Sequence, residues 1–139
     1  MNFKTITTIL VVSISISAFS QHSEIKNTID QLFEGMRLTD STLIKGVFDK
    51  DATLSTVYDL DKRARLKSTS IKTFVTTAGT THDGVWNEKV LSYEIKVDGK
   101  LATVWTPYEF YVDSTFIHCG VNAFTLIKPA DKWLITSIV

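Results

Sequence analysis

The sequence predicts an α+β fold in which N-terminal helices pack on a strongly curved, antiparallel-rich sheet that forms a cone with a pocket inside. Three observations carry that expectation. Apolar residues recur at helical spacing from Ile25 to Met36, long β-rich segments fill the C-terminal half, and Asp98-Gly99 and Asp113-Ser114 stand between those segments as turn signals. At 139 residues the chain is the size of one domain. Its 15 Lys and Arg balance 15 Asp and Glu, so no net field gathers phosphates and nucleic acid is not expected as a partner. Cys119 is the single cysteine, which rules out a disulfide within the chain.

Residues 1–20 read as a secretory signal peptide. Lys4 supplies the positive start, Ile6 to Ile16 the apolar run, and Ala18 and Ser20 the small residues that a signal peptidase needs. Cleavage is expected after Ser20, leaving residues 21–139 as a single exported domain, periplasmic or extracellular. A buried N-terminal strand or an uncleaved anchor is the alternative. Beyond the leader, no apolar run reaches the roughly 20 residues of a membrane span.

In the mature part, Ile25, Ile29, Leu32, Phe33 and Met36 form one helical stripe. Leu38-Thr39-Asp40 interrupts it. Asp40 or Ser41 is the expected N-cap of a second short helix, with Leu43, Ile44, Val47 and Phe48 on one face and Asp49-Lys50-Asp51 at its end. A short strand over Thr53–Tyr58 follows, then a charged turn and an extended piece around Ala64–Lys67. Ser70 is the expected N-cap of a weak third helix over Ile71–Ala78, weak because threonine lowers helical propensity.

Strands are expected over Val85–Val97, Leu101–Val112, Phe116–Ile127 and Trp133–Val139. Asp98-Gly99 is read as a two-residue hairpin loop, with Leu91, Tyr93 and Ile95 on the apolar face against Ala102, Val104, Tyr108 and Phe110. Strands of about 12 residues are twice the usual length, so the sheet must coil, with bulges where it bends. Two registers are open for the next hairpin. A two-residue loop at Asp113-Ser114 with a bulge near Pro107 puts Glu109 beside His118. A three-residue turn puts Phe110 opposite His118 and excludes Glu109. Both keep His118, Asn122, Phe124 and Leu126 on one face.

His118 beside Glu109 would be an acid–base pair, because a carboxylate fixes the imidazole tautomer and raises its pKa. The simpler reading is a cross-strand pair at the sheet rim. Tyr58, Trp105, Tyr108, Asn122 and Phe124 are the candidate ligand-binding residues: hydroxyl and amide donors, and aromatic faces for a flat molecule. Trp133 is better read as core. The three histidines stand at no metal-ligand spacing from one another or from Cys119, so neither a metal nor a cofactor is expected. Cys119 reads as a small hydrophobe rather than a nucleophile.

The order of elements resembles the nuclear transport factor 2-like superfamily, which includes ketosteroid isomerase, scytalone dehydratase and polyketide cyclase-like proteins. Phe48-Asp49-Lys50-Asp51-Ala52 resembles its helix-to-strand junction. Tyr108-Glu109-Phe110-Tyr111, the segment from His118 to Leu126, and Trp133-Leu134-Ile135 are similar to the meander of its exported, lumazine-binding-type members. The resemblance implies a cone-shaped fold, a mostly apolar pocket for a small apolar or aromatic molecule, and homodimers that pair through the sheet. It implies no particular reaction. Three functions follow as expectations: an exported small-molecule-binding protein, a cofactor-independent dehydratase, isomerase or cyclase using His118 and Glu109, or a dimerising interaction module.

Overall fold

The structure, a computed structural model, describes residues 3–139, with side chains from Phe19 onward. Apart from Phe19 and Ser20, the expected leader lies outside the residues whose side chains are described. Helix α1 (Phe3–Leu38) carries the anticipated stripe: Ile25, Ile29, Leu32 and Met36 are buried, and Phe33 packs beside them. It ends at Thr39, whose φ of 53° turns the chain so that the Asp40 N–H reaches the Gly35 carbonyl at 2.8 Å. That left-handed residue is what stops the helix. Helix α2 (Ser41–Lys45) starts on Asp40, whose carboxylate accepts from the Thr42 and Leu43 amides at 2.8 and 3.0 Å.

Helix α2 is shorter than its apolar pattern suggests. Gly46 caps it, and Val47 and Phe48 are buried as the chain passes into strand β1 (Phe48–Leu60). Asp49-Lys50-Asp51 therefore lies inside β1, in a stretch of irregular pairing between Phe48 and Thr53 where Asp49 accepts from the Asp51 amide at 3.0 Å. A two-residue loop, Asp61-Lys62, has positive φ at both positions, the conformation that matches strand twist in tight hairpins. It leads into β2 (Arg63–Thr69). Helix α3 (Ile71–Ala78) is capped by Ser70 as expected, with Oγ accepting from the Thr73 amide at 3.0 Å.

The expected strand Val85–Val97 is two strands, β3 (Trp86–Val90) and β4 (Glu94–Asp98), both lying along β5 (Leu101–Val112). Pro107 explains the break. A residue in an antiparallel ladder offers its N–H and C=O to the same neighbour; Pro107 has no N–H, and only its carbonyl is used, accepting from Leu91 at 2.9 Å. The break changes the face of the residues before it. Tyr93 and Ile95 pack on the core as anticipated, with Val97 beside them; Trp86, Glu88 and Val90 also lie on the inner side, whereas Leu91, expected on that face, is exposed.

Strands β6 (Thr115–Ile127) and β7 (Leu134–Ile138) complete a seven-stranded sheet of order β2-β1-β7-β6-β5-β3, with β4 also on β5. The β4–β5 loop is Gly99-Lys100, one residue later than expected; Ile95 faces Val104 and Val97 faces Ala102, a two-residue shift that preserves every face. The β5–β6 loop is Asp113-Ser114, and the extra residue is Ile117, between the Tyr111–Phe116 and Phe110–His118 pairs. Pro107 itself pairs regularly with Val121. The bulge thus sits near the turn rather than at the proline. The core lies between α1 and the sheet, with Trp133, Phe124, Leu126 and Ile135 buried. The sheet is not closed. Strand β7 holds β1 and β6 together only as far as Leu54 and Phe124, and Val139 adds a pair of backbone bonds to Ala123. Past that point the β1 and β6 edges diverge.

Candidate functional site

Three strands set the inner face. Glu88 of β3 lies opposite Phe110, Tyr108 of β5 opposite Gly120, and Thr106 opposite Asn122 of β6. By register Glu88 and Asn122 are four residues apart along β5, yet the Asn122 amide donates to the Glu88 carboxylate at 2.6 Å. Coiling of the long strands tilts their concave-side groups together. Glu88 has no cation partner among the described residues. Burial pushes its carboxyl up to about 7, against the Asn122 bond, which favours the charged form. A buried acid poised near neutrality can give or take a proton.

Tyr108 stands over this pair. Its phenol is raised by burial first, then by the negative charge of Glu88 and of Cys119, so it is a neutral hydroxyl donor across the physiological range. Gly120 makes room for it: a Cβ there would lie 2.8 Å from the Tyr108 hydroxyl and 3.0 Å from its ring. His118 meets the Phe110 ring at 5.1 Å and the Tyr108 ring edge-on at 5.8 Å. Trp86 packs edge-on against Phe110 at 6.0 Å and stacks on His82 at 4.1 Å.

Two clefts reach this centre. One, of about 540 Å³, opens between α1 and the β3–β4 edge and is lined by Phe33, Glu88, Val90 and Tyr93, with Lys26, Asp30 and Arg37 at its rim. The Tyr93 hydroxyl donates to Asp30 there. The other, of about 490 Å³, opens in the gap between β1 and β6 and is lined by Thr56, Tyr108, His118, Gly120 and Asn122 from the inner face and by Val57, Trp105 and Val121 from the outer. Glu88 lines the first and Asn122 the second, so their hydrogen bond lies between the two. Among the described residues, no three of His, Cys, Asp and Glu converge as a metal site would require, and no helix is long and apolar enough to cross a membrane.

No family model matches the chain, and no curated protein matches its sequence at a significant level. Solved structures do match. A nuclear transport factor 2-like protein with a cystatin-like fold from Novosphingobium aromaticivorans superposes with a TM-score of 0.73 at 12% identity, over 91% of this chain and 84% of its own. The chain has the nuclear transport factor 2-like fold. A protein of this type and of unknown function from Shewanella baltica gives 0.64 at 21% identity, over 86% and 91%. A candidate dehydratase of the nuclear transport factor 2-like family from Streptomyces avermitilis gives 0.69 at 10% identity, over 87% and 94%.

On this fold the residues singled out from sequence divide between the faces of the sheet. Tyr108, Asn122 and His118 come together on the inner face. Glu109 does not join them: it lies opposite Cys119 on the outer face, accepts from the Tyr111 hydroxyl at 2.8 Å and faces Lys89 at 3.9 Å. The Ile117 bulge decides this, pairing His118 with Phe110. Phe124 is buried in the core, edge-on to Phe33 at 6.2 Å. Trp105, opposite Ala123, is half exposed on the outer face at the rim of the β1–β6 gap. Tyr58 lies on the inner face of the β1–β2 hairpin, away from Glu88 and beside Thr56 and Lys67. Glu88 was not anticipated. Its signal was Pro107, which marks where an edge partner must break and change face.

Proposed function

We propose that the protein binds a small, largely apolar molecule on the inner face, with Glu88, Asn122 and Tyr108 as its polar centre. The observation that carries this reading is the Glu88 carboxyl, largely buried at the inner end of an open cleft, joined among the described residues only by the Asn122 amide and set beside Phe110, Val90 and Tyr108. Leaving a carboxyl in such surroundings is unfavourable for folding, which is the pattern of groups placed for a ligand. A ligand hydroxyl or carbonyl would take the place of the Asn122–Glu88 bond. The experiment is native mass spectrometry of the chain purified from its own host. A bound molecule that is lost in Tyr108→Ala supports the reading; a bare wild-type chain that also fails to bind N-phenyl-1-naphthylamine contradicts it.

A second reading is catalysis without a cofactor, favoured by the position of the Glu88 carboxyl near pH 7. Glu88 would remove a proton beside a carbonyl whose oxygen accepts from the Tyr108 hydroxyl, and either return it elsewhere on the molecule or pass it to a departing β-hydroxyl, which leaves as water. The dehydratase description of one structural neighbour is consistent with such a step. In this reading the acid–base role falls to Glu88 rather than to His118 with Glu109.

Export and dimerisation belong to the same proposal. The leader pattern over residues 1–20 supports cleavage after Ser20 and a periplasmic or extracellular location, in keeping with the likeness of the meander to exported lumazine-binding-type proteins. Trp105, Val121, Val57 and Leu66 are exposed on the outer face, and a patch of that kind supports a homodimer through the sheet.

A further inference from the structure

The β1–β2 hairpin carries a feature that the apolar reading leaves unused. Leu54 packs on the core, and pairing is regular from Leu54–Thr69 to Leu60–Arg63, so alternation assigns Thr56 with Lys67, Tyr58 with Arg65 and Leu60 with Arg63 to the inner face. Asp59 pairs with Ala64 on the other face, and Asp61 lies in the loop before Arg63. Among the described residues, none of Arg63, Arg65 and Lys67 has a carboxylate within ion-pairing distance. A chain with no net charge has thus gathered three unpaired cations on one side of one hairpin. All three are exposed and no carboxylate competes for them on their own face, so an anion that reaches this face meets them unpaired.

The row is continuous with the site. Thr56 lines the cleft that holds Tyr108, His118 and Asn122, and it also lines the shallow pocket formed with Tyr58, Lys67 and Thr69. Thr56 thus borders both hollows; Lys67 lines the second, and Arg65, opposite Tyr58, follows it on the same face. We propose that the ligand is an amphipathic organic anion, with its apolar body on Tyr108 and His118 and its carboxylate or sulfonate on Lys67 and Arg65. This rests on the small-molecule reading above and specifies its ligand class. Arg65 offers a planar fork to such a group and Lys67 a point charge. Lys67 lines a hollow with Thr56 and Tyr58 rather than a flat face, which suits a free small anion better than an extended lipid surface.

Two dyes share one aromatic body and differ in charge: 8-anilinonaphthalene-1-sulfonate and neutral N-phenyl-1-naphthylamine. Fluorescence titration of the full chain at low salt is expected to show the sulfonate binding about tenfold or more tighter than the neutral dye, the gain of one or two charge-assisted hydrogen bonds. In R65Q/K67Q that ratio is expected to fall to about one, and in K96Q/K100Q, which removes the same charge elsewhere, to persist. Equal binding of the two dyes by the wild type, or a ratio unchanged in R65Q/K67Q, overturns the anion assignment while leaving the pocket standing. Binding of neither dye overturns both.

Discussion

Glu88 shows how one side chain couples stability to function. Its carboxyl loses its proton near 7, whereas an unfolded glutamate does so near 4.5, so between those values the folded chain holds a proton that the unfolded chain has released. Stability therefore falls as pH rises through that window, and the whole penalty is present above pH 7. Glu88→Gln keeps an acceptor for Asn122 and removes the charge. It is expected to stabilise the protein by about 1–3 kcal/mol at pH 8, after allowing for the part of the carboxyl that water still reaches, and by almost nothing at pH 4.5. Thermal melts at the two pH values check this, and an equal shift at both would mean that the carboxyl is ordinary. Gly120 makes the complementary case. A methyl there displaces the Tyr108 ring, so Gly120→Ala is expected to destabilise by roughly 1–3 kcal/mol, as overpacking does, and to weaken dye binding at least as much as Tyr108→Phe.

The elements divide into those written locally and those decided by their neighbours. Asp40 and Ser70 stand one residue before short apolar periods, and both cap helices as their chemistry implies. Helix α2 has only five residues, so its cap matters: Asp40→Ala is expected to lose about 1 kcal/mol, a melting shift of roughly 4 °C that calorimetry would resolve. A shift below 1 °C would show that packing of Ile44 holds α2 without the cap. Glycine–aspartate turns were readable too, to within a residue. What could not be read is set between strands. The face of Glu88 depends on a break between β3 and β4 that Pro107 induces from across the ladder, and the partner of His118 depends on whether an extra residue sits at Ile117 or near Pro107. Period-2 alternation carries no information about where it is interrupted. The fold was therefore predictable, along with His118 and Asn122 on one face, whereas the place of Tyr108 beside them and the carboxyl of Glu88 were not.

At the scale of the whole molecule, helices cover one face of an open sheet and leave the other face to solvent. Trp105, Val121, Val57 and Leu66 on that outer face lead to the expectation that Trp105→Glu halves the mass of the particle in light scattering, from a dimer to a single chain; an unchanged mass in the variant, or a monomeric wild type, removes the sheet dimer. Export is independent of the rest. Mass spectrometry of the secreted fraction is expected to find Gln21 at the N-terminus, and an intact Met1 would refute cleavage. The inner face is the place where these scales meet, because the coiling of β5 and β6, the break opposite Pro107 and the space left by Gly120 all act on the same few atoms. The decisive measurement is a nuclear magnetic resonance titration of the labelled chain with N-phenyl-1-naphthylamine. Saturable shifts at the Asn122 side-chain amide, the Glu88 carboxyl and the Tyr108 ring are the expected result, and shifts confined to Leu66 and Leu101, which are exposed on the outer face and line neither cleft, would contradict it.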